Sequence, residues 1–268
     1  MHSDRAGRPR LDRESGQIVF ETDAVGYHAG RIGYPDTLFE RLFARAASAP
    51  DILEIGAGTG LATEAMLARK PRSLTVVEPG GELIAFMRGR MRAPNLTFVN
   101  AAFPDVVLDD QYDIIACAAA FHWLEPTAAL ARVRSLLRPG GVWAMWWNSY
   151  RNTNVGDPLS DAVTPLLDGI SLPPSEGPDG HYSLDMALHT RTLVNAGFGE
   201  VEYQLFRRER TLDAAQVRAL YASYSYIRLL PEARRRDLLD KIEHLVEDRF
   251  AGQAPNVVLT AFYSAVPD

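Results

Sequence analysis

A single cysteine, Cys117, stands among 268 residues, which excludes an internal disulfide and any cysteine-rich metal cluster. It lies inside the apolar run YDIIACAAAF, where it reads as a small buried hydrophobe rather than a nucleophile. Long hydrophobic runs are missing too: none approaches the roughly 18 to 20 residues that span a bilayer, so no membrane attachment is expected. Basic charge is in deficit, with 28 Lys and Arg against 34 Asp and Glu and a formal net charge of -6. General affinity for a phosphate backbone needs a concentrated basic face, so nucleic acid is not an expected partner. The arginine run Arg234 to Arg236 is followed by Asp237, Asp240, Glu243, Glu247 and Asp248, the pattern of a solvated helix face of mixed charge. His, Cys and carboxylate residues at metal-ligand spacing are also lacking, and no metal is expected. The opening MHSDRAGRPRLDRESG has no apolar core of a secretory signal, so residues 1–24 are expected to form a flexible tail on a cytoplasmic protein.

With 47% hydrophobic residues, what remains can bury one large core, and residues 25–268 are expected to form a single domain. Helical and strand patterns alternate from residue 36: DTLFERLFARAA, DILEIG, LATEAMLARK, SLTVVEP, ELIAFMRGRM, LTFVNA, YDIIACAA and PTAALARVRSLL. RPGG then breaks the chain before the strand VWAMWW. Near-continuous apolar strands joined by amphipathic helices predict a doubly wound, mostly parallel α/β sheet covered on both faces. Ligands of such sheets bind at the carboxyl ends of the strands. Further on, residues 148–184 are rich in Pro, Gly, Asp and Ser and read as a long loop with one short helix. A helix near 185–196, the strand EVEYQLFRRERTL, helices over 214–227 and 231–250 and a last strand NVVLTAFYSAV complete the chain. The late helices interrupt a terminal pair of strands, and 148–184 and 212–252 are therefore expected to act as lid or substrate elements.

The stretch ILEIGAGTG places Glu54 at the end of a strand and Gly56, Gly58 and Gly60 in the turn that follows. Glycines there let the backbone turn tightly and a ligand lie against bare main chain. The spacing is G-x-G-x-G rather than the G-x-G-x-x-G of dinucleotide sites, and a carboxylate two residues before the first glycine would repel a pyrophosphate. It suits a ligand carrying an ammonium and a cationic centre. Glu78, eighteen residues beyond Gly60, ends the next strand, where an acidic side chain can accept bonds from both ribose hydroxyls of a nucleoside.

With ILEIGAGTG, VVEP, YDIIACAAAFHW and LLRPGG in these places, the chain resembles the class I S-adenosylmethionine-dependent methyltransferases over residues 25–148. Within them, YHAGRIGYP and AAFHW resemble the small-molecule branch that includes trans-aconitate methyltransferase-like proteins. The resemblance implies a seven-stranded Rossmann-like sheet and S-adenosyl-L-methionine as cofactor. It also implies a small-molecule acceptor, with O-methylation favoured. Gly56, Ala57, Gly58 and Gly60 would line the methionine portion, with Glu54 near its ammonium group. Glu78 would hold the ribose, and Pro79 and Leu83 would pack around the adenine. The family often places a polar residue near Ala102; here Ala101, Ala102 and Phe103 imply recognition by main chain and stacking. Ala118, Ala119, Phe121 and His122 would face the cofactor, and Tyr27 and Arg31 of the upstream element would fold over it.

Methyl transfer from a sulfonium is an in-line displacement whose main demand is geometry in a dry pocket, and a general base is optional. His122 is a candidate base or a residue that shapes the pocket, and the second role is favoured because the H-W pair resembles a family-wide element. Trp123, Trp147, Asn148, Tyr182 and Tyr224 are the candidate substrate contacts, with His181 and Trp146 nearby in the pattern. Tyr221 and Tyr224 are expected to share one face of a single late helix with Arg228. A methyltransferase of nucleic acid or protein and a non-catalytic cofactor-binding protein are the alternatives, and the sequence carries no signal for oligomeric state.

Overall fold

The computed structural model describes residues 23–103, 105–151, 156–171, 176–177 and 180–268. The expected tail lies outside the described residues as far as residue 22; from there Asp23 caps a helix, α1 (Ala24–Gly30), by accepting the Gly26 amide. Two compact units share the chain. Of the described residues, a sheet unit comprises those within 33–148, 185–206 and 260–268, and a helical unit comprises those within 23–32, 149–184 and 207–259.

Up to residue 149 the elements alternate as expected: α2 (Asp36–Ala44), β1 (Asp51–Ile55), α3 (Leu61–Leu67), β2 (Ser73–Glu78), α4 (Gly81–Arg90), β3 (Leu96–Asn100), β4 (Tyr112–Ala118), α5 (Pro126–Leu136) and β5 (Leu137–Ser149). After them come α6 (Pro158–Val163), the two-residue strands β6 (Glu176–Gly177) and β7 (Gly180–His181), α7 (Met186–Asn195) and β8 (Phe198–Asp213). Three helices, α8 (Ala214–Ala222), α9 (Ser225–Arg228) and α10 (Glu232–Phe250), then separate β8 from β9 (Gln253–Pro267). Seven strands form one sheet in the order β3-β2-β1-β4-β5-β9-β8. Pairs β1–β2, β1–β4, β2–β3 and β4–β5 are parallel, with Glu54 opposite Val76 on one side and Ala116 on the other. This is the expected doubly wound, mostly parallel sheet with a helical insertion before the last strand.

Burial explains the strand composition. Ile52, Leu53, Leu74, Val76, Ile114, Ile115, Ala116 and Cys117 are all fully buried, because helices cover both faces of a parallel sheet. Trp146 is also at 0% exposure, wedged edge-on between Tyr34 and Phe39 at 5.8 Å from each. A fully buried large apolar side chain contributes about 1.5 to 3 kcal/mol. At the strands' opening end, Arg138 donates to Asp113 at 2.7 Å and pairs with Asp51 at 2.8 Å, while the Asp51 amide donates to Asp113. That network pins the starts of β1 and β4 and leaves their carboxyl ends for function.

Two local readings are corrected. RPGG is not a break, because β5 starts at Leu137 and passes through it: Tyr112 pairs with Leu137 and Ile114 with Val142, so the extra residues are absorbed as a register shift. The helix expected over 214–227 is two helices, since Tyr224 is extended (φ -76°, ψ 132°) and caps α9. Tyr221 and Tyr224 still touch edge to face at 5.3 Å, but across a helix break rather than along one face.

Candidate active site

At the carboxyl end of β1 the chain turns through Gly56 and Gly58, both with positive φ, and enters α3 from Gly60 at φ 86°. L-residues pay steric strain in this region, which explains glycine at each position. Gly56 has a second reason: a Cβ on it would lie 2.5 Å from the Cβ of Ala120, so the loops after β1 and β4 meet closely there. Above Gly58, by contrast, a Cβ would meet nothing within 4 Å, leaving bare main chain open.

The tip of β2 is tied to this loop. Oε2 of Glu78 accepts the Gly58 amide at 2.9 Å and Oε1 accepts the Gly80 amide at 3.0 Å. Asn100, at the tip of β3, donates to the carbonyls of Glu78 and Pro79 at 3.0 and 2.8 Å. Sequence reasoning passed over Asn100; its position one residue past the apolar part of β3 was the available signal. Pro79 is exposed and Leu83 nearly buried beside it, while Ala102 is exposed and Phe103 is 7% exposed.

The position of Glu54 revises an expectation. Its carboxyl is fully buried and turned toward α3, where Oε2 accepts the Thr63 hydroxyl at 2.6 Å and Oε1 is buried with no hydrogen-bond partner. Burial pushes its pKa up to about 8, and the nearby Glu78 adds to the rise. At neutral pH it is therefore largely a neutral acid that props the glycine loop, not a charge presented to a ligand.

After β4 come Ala118, Ala119 and Ala120, all partly exposed, and a 3₁₀ turn over Phe121–Trp123. Ala119 has φ 54° and its amide donates to the Trp146 carbonyl at 2.7 Å, which bends the chain out of the strand. The turn sends its aromatics in different directions. Phe121 is fully buried against Trp143 at 5.7 Å, so it belongs to the core and not to a surface facing a ligand. His122 and Trp123 stay partly exposed, their rings 4.6 Å apart.

Trp147 also departs from expectation. At 1% exposure it cannot line an open pocket; its Nε1–H donates to Nδ1 of His122 at 3.1 Å. An indole nitrogen can only donate, so Nδ1 of His122 carries the lone pair and the ring proton sits on Nε2. Trp147 is itself stacked on His189 at 5.3 Å, and His189 lies 4.8 Å from Tyr263, both fully buried. His189 had no sequence signal beyond its place on the buried face of α7. Asn148 is partly exposed, donating to the Gly33 carbonyl at 3.3 Å and accepting the Thr260 hydroxyl at 2.6 Å.

The remaining predicted residues belong to the helical unit. Arg31 lies over the rings of Tyr27, Tyr150 and Tyr224 at 5.2, 4.8 and 4.8 Å and donates to the Ser223 carbonyl at 3.3 Å. Tyr224, 6% exposed, also stacks on Tyr226 at 5.2 Å, so it packs the unit's core as placed. Tyr182 is partly exposed, and His181 beside it shares its Nδ1 with Ser183 at 2.7 Å.

Residues 52–141 match the family model described as a methyltransferase domain. An uncharacterised methyltransferase-like protein of Schizosaccharomyces pombe is 26% identical over 85% of this chain and 86% of its own length. These matches support a class I S-adenosylmethionine-dependent methyltransferase. A methyltransferase of that dependence from Thiobacillus denitrificans, solved with S-adenosylhomocysteine, shares the fold at a TM-score of 0.55 and 14% identity, covering 97% of this chain and 100% of its own. A malonyl-[acyl-carrier protein] O-methyltransferase of Acetivibrio thermocellus is 28% identical over 42% of this chain and 41% of its own. In this methyltransferase the glycine loop, the β2 tip and the turn after β4 are the parts brought together. Among its described residues no group of three or more His, Cys, Asp or Glu is placed to hold a metal, and no helix is long and apolar enough to cross a membrane.

Proposed function

We propose that this methyltransferase moves a methyl group from S-adenosylmethionine to an oxygen of a small organic molecule, with the site at the tips of β1, β2 and β4. The observation that carries the reading is the Gly58–Glu78 hydrogen bond, which joins the glycine loop to an acidic strand tip beneath open main chain. The cofactor fits that arrangement. Bare backbone at Gly56, Ala57 and Gly58 accommodates the methionine portion, with Gly60 turning the chain into α3. Each Glu78 oxygen accepts a main-chain bond, and a carboxylate with about four acceptor positions suits a ribose hydroxyl as well. Pro79 and Leu83 offer an apolar wall for adenine, and the main chain at Ala102 and Phe103 offers its polar edge.

When bound, the cofactor supplies a sulfonium methyl open to in-line attack. The chain's own work is to hold the acceptor collinear and exclude water. Ala118 and Ala119 keep the floor small, while His122 and Trp123 border the acceptor. Asn148, outside the segment matched by the family model, is among the acceptor contacts. The net charge of -6 supports a small molecule over nucleic acid, and the relative named for O-methylation supports oxygen as acceptor atom.

Calorimetry with S-adenosylmethionine and S-adenosylhomocysteine tests the cofactor, and both should bind. Binding of neither would overturn the reading. A screen of small organic acids, phenols and alcohols for release of S-adenosylhomocysteine then tests the acceptor class; turnover on nucleic acid or protein alone would refute it.

A further inference from the structure

Trp147 and His122 together define what the site can do with a proton. Trp147 cannot easily change partner: it is 1% exposed, at the end of β5, stacked on the buried His189, which in turn packs on Tyr263 of β9. Tyr263 also packs on Tyr203 of β8, 4.9 Å away. The clamp aims one N–H at Nδ1 of His122. To take a proton at Nδ1, His122 would have to face the indole donor with a second donor, leaving a buried N–H unsatisfied at a cost. At Nε2 the ring already has a proton.

Three other acids near these strand tips are committed as well. Glu54 is fully buried on Thr63, Glu78 accepts the Gly58 and Gly80 amides, and Glu125 caps α5 by accepting the Thr127 and Ala128 amides. A neutral alcohol or a protonated amine must lose a proton around methyl transfer, whereas an ionised oxygen acid need not.

We propose that Trp147 is a positioning residue that holds His122 as its Nε2–H tautomer, so that His122 donates a hydrogen bond to an acceptor oxygen already anionic at neutral pH, such as a carboxylate or an acidic phenol. This deepens the methyl-transfer reading and rests on it. In the transfer, an oxygen lone pair of the anion forms the new C–O bond as the methyl–sulfur bond breaks, the sulfur leaves as a neutral thioether, and no proton moves. The Nε2–H bond orients the oxygen and selects the anion over its methyl ester product, which accepts more weakly.

Nitrogen-15 spectra of histidine-labelled protein, with His122 assigned from the spectrum of His122→Asn, test the tautomer without turnover. The full chain should show His122 protonated at Nε2 with Nδ1 as acceptor, and Trp147→Phe should add a second population protonated at Nδ1. A His122 protonated at Nδ1 in the unsubstituted protein, or unaltered in Trp147→Phe, overturns the positioning role. Matched acids and alcohols of one carbon skeleton test the acceptor: acids should turn over and alcohols should not. Turnover confined to alcohols or amines, or none on any acid, overturns the acceptor class while the tautomer result stands by itself. His122→Ala should lower turnover on the acid roughly tenfold, the loss of one hydrogen bond. Unchanged turnover, or restoration by imidazole or higher pH as for a missing base, overturns the donor role. Failure of the methyl-transfer reading itself would show separately, as absent cofactor binding in calorimetry.

Discussion

The main-chain amide of Gly58 donates to Oε2 of Glu78 at 2.9 Å, so the loop after β1 and the tip of β2 are tied together. Glu78 therefore serves twice, as a brace for the loop and as the proposed ribose acceptor. Glu78→Ala should weaken S-adenosylmethionine binding by about 1 to 3 kcal/mol, the value of one or two hydrogen bonds to a charged group. Calorimetry reads this directly, and unchanged affinity would remove Glu78 from the site.

Gly56 and Gly58 both have positive φ yet answer to different constraints, and alanine at each should separate them. Gly56→Ala drives a Cβ to 2.5 Å from Ala120 and should lower unfolding free energy by about 2 to 3 kcal/mol in a urea titration. Gly58→Ala meets only its backbone strain, about 1 kcal/mol, but puts a methyl into the open space above the loop and should weaken cofactor binding. If Gly58→Ala were the more unfolded and the better binder, the assignment of that space to the cofactor would fail.

Glu54 makes stability depend on pH. Its pKa rises from 4.5 to about 8 on folding, so between those values the folded chain holds a proton that the unfolded chain has released. Stability from this group is full below about pH 4.5, falls as pH rises toward about 8, and is level above it. Glu54→Gln keeps an oxygen for Thr63 but cannot ionise. Urea unfolding at pH 5, 7 and 9 without cofactor should show the variant gaining on the native chain as pH rises, by a few kcal/mol in order of magnitude. Parallel curves would mean that Glu54 is ionised in the fold.

The core elements were legible because β1, β2, β4 and β5 are near-continuous apolar runs, which only a sheet covered on both faces accommodates. The glycine loop and Glu78 were legible for a similar reason: positive φ and a strand-tip carboxylate leave marks in the residue types themselves. RPGG and the helix over 214–227 were misread because pairing with Tyr112 and packing around Tyr224 overrode local propensity. Glu54, Phe121 and Trp147 were expected to face a ligand, and the fold buries all three. A residue type says what a side chain can do, and only its neighbours say which way it turns.

By itself the sequence determined the sheet, the family resemblance and the glycine turn after β1, since each rests on local pattern and spacing. The tertiary structure decided that Glu54 is buried on Thr63, that Glu78 braces Gly58, and that Trp147 is spent on His122. Those relations join residues 9, 20 and 25 positions apart, and folding brings their donors and acceptors together. The role of His122 was open in the sequence for the same reason: its tautomer is set by an indole on β5.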